Sequence, residues 1–300
     1  MSSFERPESP QWQLLCDTGA LVSECPIWVD SEQSLYWIDM YGASLNCTIA
    51  NSGATRSWSL PERVGSFALR AGGALLALRS GLLDLDFADG QLSQRAAAPY
   101  DPRSYYFNDG RCDRTGRFWA GTSRAPESTT AAPGAFYRVD ENGAECRFDG
   151  FATANGIAFS PDGCTMYTAD TPGNVIYAYD FDGGAGEASA RRVFARLGLG
   201  QYPDGAAVDS EGGYWIALIG SGRVVRFTPK GVLDRVLEAP SRFPTMIAFG
   251  GLGLRTMFLT SSRKYLDRLT QAEREREKHA GAVWRCELDA RGLPEPWLAF

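Results

Sequence analysis

Short apolar runs with strict alternation recur along the whole chain, and helical periodicity is weak everywhere except near residues 266–278. The runs end in an aromatic or small residue: Leu35-Tyr36-Trp37-Ile38, Leu75-Leu76-Ala77-Leu78, Arg117-Phe118-Trp119-Ala120, Met166-Tyr167-Thr168, Tyr214-Trp215-Ile216-Ala217 and Met257-Phe258-Leu259. With Trp37, Ala77, Trp119, Tyr167, Trp215 and Phe258 as markers, the intervals are 40, 42, 48, 48 and 43 residues. Each copy continues into another strand-like run, such as 134–139 or 174–179, then a turn such as Pro229-Lys230-Gly231, then a more polar strand. Six copies at this spacing predict an all-β, six-bladed β-propeller with four antiparallel strands per blade.

An open ring would leave sheet edges unpaired. The strand-like segments 11–15 and 296–300 are therefore predicted to share one blade, so that N- and C-terminal strands close the ring. No Pro/Ser-rich linker divides the chain, which reads as one domain over 1–300 with 1–10 as a flexible N-terminal segment.

A second alignment concerns the strand upstream of each marker. Counted from Asn108, Asp113 falls at plus five and Gly116 at plus eight. The same count gives Asn155 with Ser160 and Gly163, Asp204 with Asp209 and Gly212, and Glu24 with Val29 and Glu32. The second and sixth copies supply Gly65 and Thr245. The first strand of a propeller blade lines the axis, so these residues, just ahead of those strands, are predicted to ring one mouth of the tunnel. Two carboxylates and two amides would converge there, an oxygen-rich set suited to one hard divalent cation. Calcium, magnesium, manganese and zinc all fit, zinc being the less usual guest of a site without sulfur or histidine. Taken singly, Asn and Asp before Gly are ordinary turn residues; the common register is what argues for a site.

Composition narrows the chemistry. Among the 300 residues, 33 glycines, eight tryptophans and twelve tyrosines suit short strands and tight turns. The formal charge of −6, without a basic cluster, argues against a nucleic-acid partner. No apolar run is long enough for a membrane span, and residues 1–10 lack the apolar core of a secretory signal. Seven scattered cysteines without a C-x-x-C point to free thiols and a cytoplasmic location; Cys25 reads as a packed thiol. The single histidine, His279, follows the charge run 273–278 of a solvated surface segment. Any Ser-His-Asp triad or histidine zinc site would need it, and no G-x-S-x-G elbow is present. Trp37, Trp119, Tyr167 and Trp215 read as inter-blade core.

Five segments together carry a resemblance: Ser23-Glu24-Cys25-Pro26-Ile27-Trp28, Phe107-Asn108-Asp109-Gly110-Arg111-Cys112-Asp113, Gly116-Arg117-Phe118-Trp119-Ala120-Gly121-Thr122, Ala154-Asn155-Gly156-Ile157-Ala158-Phe159-Ser160-Pro161-Asp162-Gly163 and Tyr202-Pro203-Asp204-Gly205. The chain resembles the SMP-30/gluconolactonase/regucalcin family of six-bladed propellers, from about Leu14 to near the C-terminus. The resemblance implies that Glu24, Asn155 and Asp204 hold a divalent metal, and that Asn108 contacts the substrate or a metal-bound water. It further implies hydrolysis of a small-molecule sugar lactone to its aldonic acid. From the chemistry of such a site the metal is expected to act as Lewis acid, and Asp204, a carboxylate at the metal edge, as general base. Other members act on esters or organophosphates, and a non-catalytic calcium-binding or interaction propeller is the alternative of another class.

The chain also departs from the family's pattern. Tyr106 stands where several sugar lactonases have Arg, and Ser123-Arg124 follows Thr122 where Met is usual. A tyrosine cannot replace an arginine fork, so the substrate would be less polar or a different lactone. Arg124 or Arg103 could supply a compensating donor, or each could be a solvated surface arginine. The loop 124–133 reads either as a lid over the tunnel mouth or as an exposed loop.

Overall fold

A computed structural model describes residues 7–129 and 132–300. Among the described residues, the strands form six four-stranded antiparallel sheets. The innermost strands are Ser23–Val29, Val64–Arg70, Tyr105–Cys112, Ala154–Phe159, Tyr202–Val208 and Pro244–Gly250, which open blades 1 to 6 in turn. Each packs against the innermost strand of the next blade, and the sixth returns to the first. This is the six-bladed propeller that the spacing predicts.

Every innermost strand is bulged at the same register. Pairing to the second strand shifts between Glu24 and Ile27, Val64 and Ser66, Phe107 and Gly110, Asn155 and Ala158, Pro203 and Ala206, and Pro244 and Ile247. The ring residues thus lie inside the strands and not just ahead of them, as the sequence suggested. A bulge re-aims the side chains beside it, which a regular ladder would send to alternate faces.

The two plus-five aspartates prove to be struts. Asp113 accepts from Trp119 Nε1 (3.2 Å) and from the backbone N–H groups of Thr115 and Arg117. Asp209 accepts from Trp215 Nε1 (2.7 Å) and Arg226 Nε (2.6 Å) and caps the turn at Gly213. Each aspartate ties the turn after the first strand to the indole of the second. Those indoles are almost fully buried among neighbouring blades, Trp119 with Ile157 and Phe159, and Trp215 with Phe249 and Met257.

Closure differs in detail from the expectation. Blade 6 takes its outermost strand, Gln13–Cys16, from the N-terminus, paired with Val283–Glu287. Residues 296–300 form no strand. Pro294 and Pro296 cannot supply ladder donors, and blade 6 is already complete without them. The tail instead crosses the far face, where Leu298 N donates to Leu69 O (2.7 Å) and Ala299 N to Gly116 O (3.0 Å). Leu298 packs with Phe107 and Phe118. Of the segment expected to be flexible, residues 1–6 lie outside the described residues, while Glu8 pairs with blade 5 through Val236 O and Glu238 N. The helical periodicity near 266–278 becomes the short helix Gln271–Arg276, capped reciprocally by Thr270 and Glu273. Among the described residues no helix is long and apolar enough to cross a membrane.

Because Asp209 satisfies a buried indole, a guanidinium and two backbone N–H groups, Asp209→Ala is expected to cost ~3 kcal/mol of stability, read from urea denaturation.

Candidate metal centre and active site

The bulges turn four polar side chains toward one mouth of the axis. In blade 1, Cys25 adopts a positive φ of 48° and returns its N–H to Glu24 Oε2 (3.1 Å). In blade 3, Asn108 Nδ2 donates to Ala154 O (3.1 Å) and Asn155 Oδ1 (2.7 Å). In blade 4, Asn155 Nδ2 donates to Asp204 Oδ1 of blade 5 (2.9 Å) and to Thr171 Oγ1 (2.7 Å). Thr171 in turn donates to Pro203 O (2.8 Å), so its hydroxyl fixes which way the Asn155 amide points.

The other two ring positions are structural. A Cβ on Gly65 would lie 2.0 Å from Phe107 O, so the close approach of blades 2 and 3 leaves no room for a side chain. Thr245 turns its hydroxyl to Ser23 O (2.6 Å) and Thr260 Oγ1 (2.8 Å).

Sequence reasoning missed Asp109. Its buried Oδ2 accepts from Ile157 N (3.0 Å), and Oδ1 has no hydrogen-bond partner among the described residues. The Asn108 bulge explains the miss, because alternation would have sent the residue after Asn108 to the opposite face. Beneath it, Arg111 bonds Ala206 O (2.8 Å) and pairs with Glu295 of the tail.

Glu24, Asp204 and Asp109 form an electrostatically frustrated group. Burial raises the pKa of Glu24 well above the carboxylate range, and the charges of Asp204 and Asp109 add to it. Burial and Asp109 do the same to Asp204, against the Asn155 hydrogen bond. Burial pushes Asp109 up to about 6. Among the described residues no cationic side chain lies within ion-pair distance of any of the three. Two converging carboxylates and an amide oxygen, with no protein cation to neutralise them, fit a hard divalent ion.

A cavity of about 230 Å³ opens above this group, lined by Glu24, Asn108, Asn155 and Asp204 together with Tyr106 and Thr171. Tyr106 is there as expected, but its ring face is covered by Arg63, whose guanidinium carbon lies 3.5 Å from the ring centroid. Arg124 is not part of the lining. It is exposed at the end of a strand beside Tyr105. Arg103 is exposed and held by Asp101. The cations on the cavity wall are instead Arg63 and Lys264, which sequence reasoning missed. In the loop 124–133, residues 130 and 131 lie outside the described residues, and Glu127 pairs with Arg79 of blade 2. His279 pairs with Asp17 (2.9 Å) and does not line the cavity. A roomier cavity of about 440 Å³ lies on the far face, but its acids are engaged, Asp30 by Trp28 and Gln33, and Glu295 by Arg111.

Six four-stranded sheets around one axis, with acidic and amide side chains at one mouth, define a six-bladed propeller with a polar axial site. The chain belongs to the SMP-30/gluconolactonase/LRE-like family, whose profile matches residues 22–263. It is 43% identical to 6-deoxy-6-sulfogluconolactonase of Pseudomonas putida, over 93% of this chain and 96% of that one. It is 34% identical to L-arabinolactonase of Azospirillum brasilense, over 94% of each. Among solved structures, regucalcin from Agrobacterium tumefaciens, described as a calcium-binding protein, superposes with a TM-score of 0.92 at 26% identity, covering 99% of this chain and 100% of that one.

A carboxylate whose folded pKa is raised contributes stability below its unfolded pKa and loses it as pH rises through the folded one. In chelator, Asp204→Asn is therefore expected to melt above the wild type by ~2 °C, with a gap that widens from pH 5 to pH 8. The wild type is expected to gain stability from added calcium or manganese, and the variant to show little of that gain in the same melting scans.

Proposed function

We propose that this chain, acting as one domain, is a divalent-metal-dependent lactonase that opens a sugar lactone to its aldonic acid. The reading rests on one observation: Glu24, Asn155 and Asp204, from three blades, converge without a protein cation at the floor of a small polar cavity. The lactonase relatives and the calcium-binding relative support it. Seven free thiols fit a reducing compartment, and we place the protein in the cytoplasm.

Glu24, Asn155 and Asp204 would hold the ion. Asn155 Oδ1 accepts one hydrogen bond from Asn108 and keeps a second lone pair for a cation. A bound divalent ion would supply Lewis-acid polarisation of the lactone carbonyl and charge for the developing oxyanion. Asn108 orients the substrate beside the ring. Asp204 has Oδ1 occupied by Asn155, and its other oxygen takes the proton of the attacking water. A new carbon–oxygen bond forms to that water, the ring carbon–oxygen bond breaks, and Asp204 returns the proton to the departing ring oxygen. Hydroxyls of Ser123, Thr153 and Ser262 on the wall suit a polyol.

The test is pH-stat titration of the acid released from several lactones. Stripped protein is refilled in turn with calcium, manganese, zinc and magnesium. Asp204→Ala is expected to lose at least ~10²-fold in rate while its circular dichroism spectrum is unchanged. Wild-type rates from that variant in the presence of metal would overturn the assignment.

A further inference from the structure

Among the described residues, four charged side chains line the cavity: the carboxylates Glu24 and Asp204, and the cations Arg63 and Lys264. Arg63 precedes the innermost strand of blade 2, and Lys264 follows the second strand of blade 6, Thr256–Ser261. These blades flank blade 1, so the cations stand on either side of Glu24, Arg63 across the axis from Asp204 of blade 5 and Lys264 across it from Asn108 of blade 3. They meet at Tyr41 of blade 1, whose hydroxyl accepts from Arg63 Nη2 (2.7 Å) and from Lys264 Nζ.

Arg63 is half-buried and held in place, while Lys264 is exposed and tethered to Tyr41. The Arg63 guanidinium lies between two rings, its carbon 4.0 Å from the Tyr41 centroid and 3.5 Å from that of Tyr106. Its faces are thus covered, and Nη2 is taken by Tyr41 and Met40 Sδ (3.6 Å), which leaves Nη1 for an acceptor. Arg63 Nε is buried without a hydrogen-bond partner among the described residues. Lys264 Nζ rests 4.2 Å from the Tyr41 ring centroid. Among the described residues no carboxylate lies within ion-pair distance of either cation. The acids nearest to Arg63 in sequence and across the loop are engaged elsewhere, Glu62 by Ser80 N and Glu127 by Arg79. Burial and the neighbouring Arg63 and Arg268 pull the Lys264 ammonium pKa down, as expected for like charges brought together.

A divalent ion on the ring would engage Glu24 and Asp204, and Asp109 lies with that group, so among the described residues Arg63 and Lys264 have no carboxylate of their own on the wall. We propose that the substrate carries an anionic group, such as a sulfonate, phosphate or carboxylate, at the end of the molecule remote from the lactone carbonyl, and that Arg63 and Lys264 bind it. The inference rests on the lactonase reading and makes Arg63 and Lys264 specificity-determining residues. It also accounts for Tyr106: the guanidinium expected near this place comes from Arg63 of blade 2, with Tyr106 as its platform.

The experiment compares the metal-filled wild type with Arg63→Gln and Lys264→Gln. The substrates are gluconolactone and gluconolactones carrying a sulfonate or a phosphate on carbon 6, with a lactone of glucaric acid for the carboxylate. For the wild type, at least one anionic lactone is expected to exceed the neutral one by about tenfold or more in kcat/KM, and the rank order identifies the anion. Each substitution is expected to lower that ratio by about tenfold, through KM, and added salt to erode it. A ratio near one in the wild type, or a ratio that neither substitution changes, overturns the proposal. If no lactone is opened, the lactonase reading fails by itself. Calorimetric titration with 6-phosphogluconate against gluconate then decides the anion site: preference for the phosphorylated acid that is lost in Arg63→Gln upholds it, and equal affinity overturns it.

Discussion

Repulsion between buried carboxylates is the constraint on which the rest of this molecule turns. Glu24 and Asp204 are brought together by blades 1 and 5, with Asp109 close by, in surroundings that strip away water and offer no ion pair. Packing that favours them alone would have replaced them with apolar residues, since a dry acidic cluster destabilises the fold that contains it. The scaffold tolerates them because many remote interactions hold the strands in position. The Asp113 and Asp209 struts, the indoles behind them and the closed ring of sheets together fix each innermost strand. Local frustration stabilised from elsewhere is the physical signature of a site arranged for a ligand.

Much of this arrangement is written in the spacing of the chain. Six apolar runs at near-regular intervals specify six blades, and a common register selects Glu24, Asn108, Asn155 and Asp204. What spacing does not carry is the local backbone path. The bulge beside Asn108 brings Asp109 toward the same group, against the alternation that period-2 reasoning assumes. The C-terminal run 296–300 has strand-like composition, yet its prolines and an already completed blade divert it to the far face.

The wall of the cavity was the least legible part. Arg63 and Lys264 are far apart in sequence and belong to no motif, so only ring closure makes them neighbours of Tyr41. Tyr106 stands where the family pattern has an arginine, and the sequence offers Arg103 and Arg124 of the same blade as compensating donors. The fold supplies it across a blade boundary, as a stacked pair of side chains. In a propeller the floor of the site comes from equivalent positions in every blade and is readable from the repeat. The wall comes from loops of unequal length and is not.

Closure by Gln13–Cys16 has a consequence for how the protein is made. The other five blades lie between this strand and its partner Val283–Glu287, with Gln13 facing Arg285 at a separation of 272 residues. Throughout synthesis the blade-6 edge stays open, and the nascent chain exposes an unpaired strand that can join a neighbouring polypeptide. Completion is therefore a single late event of very long loop closure, and it is the step at which chaperone demand and misassembly concentrate.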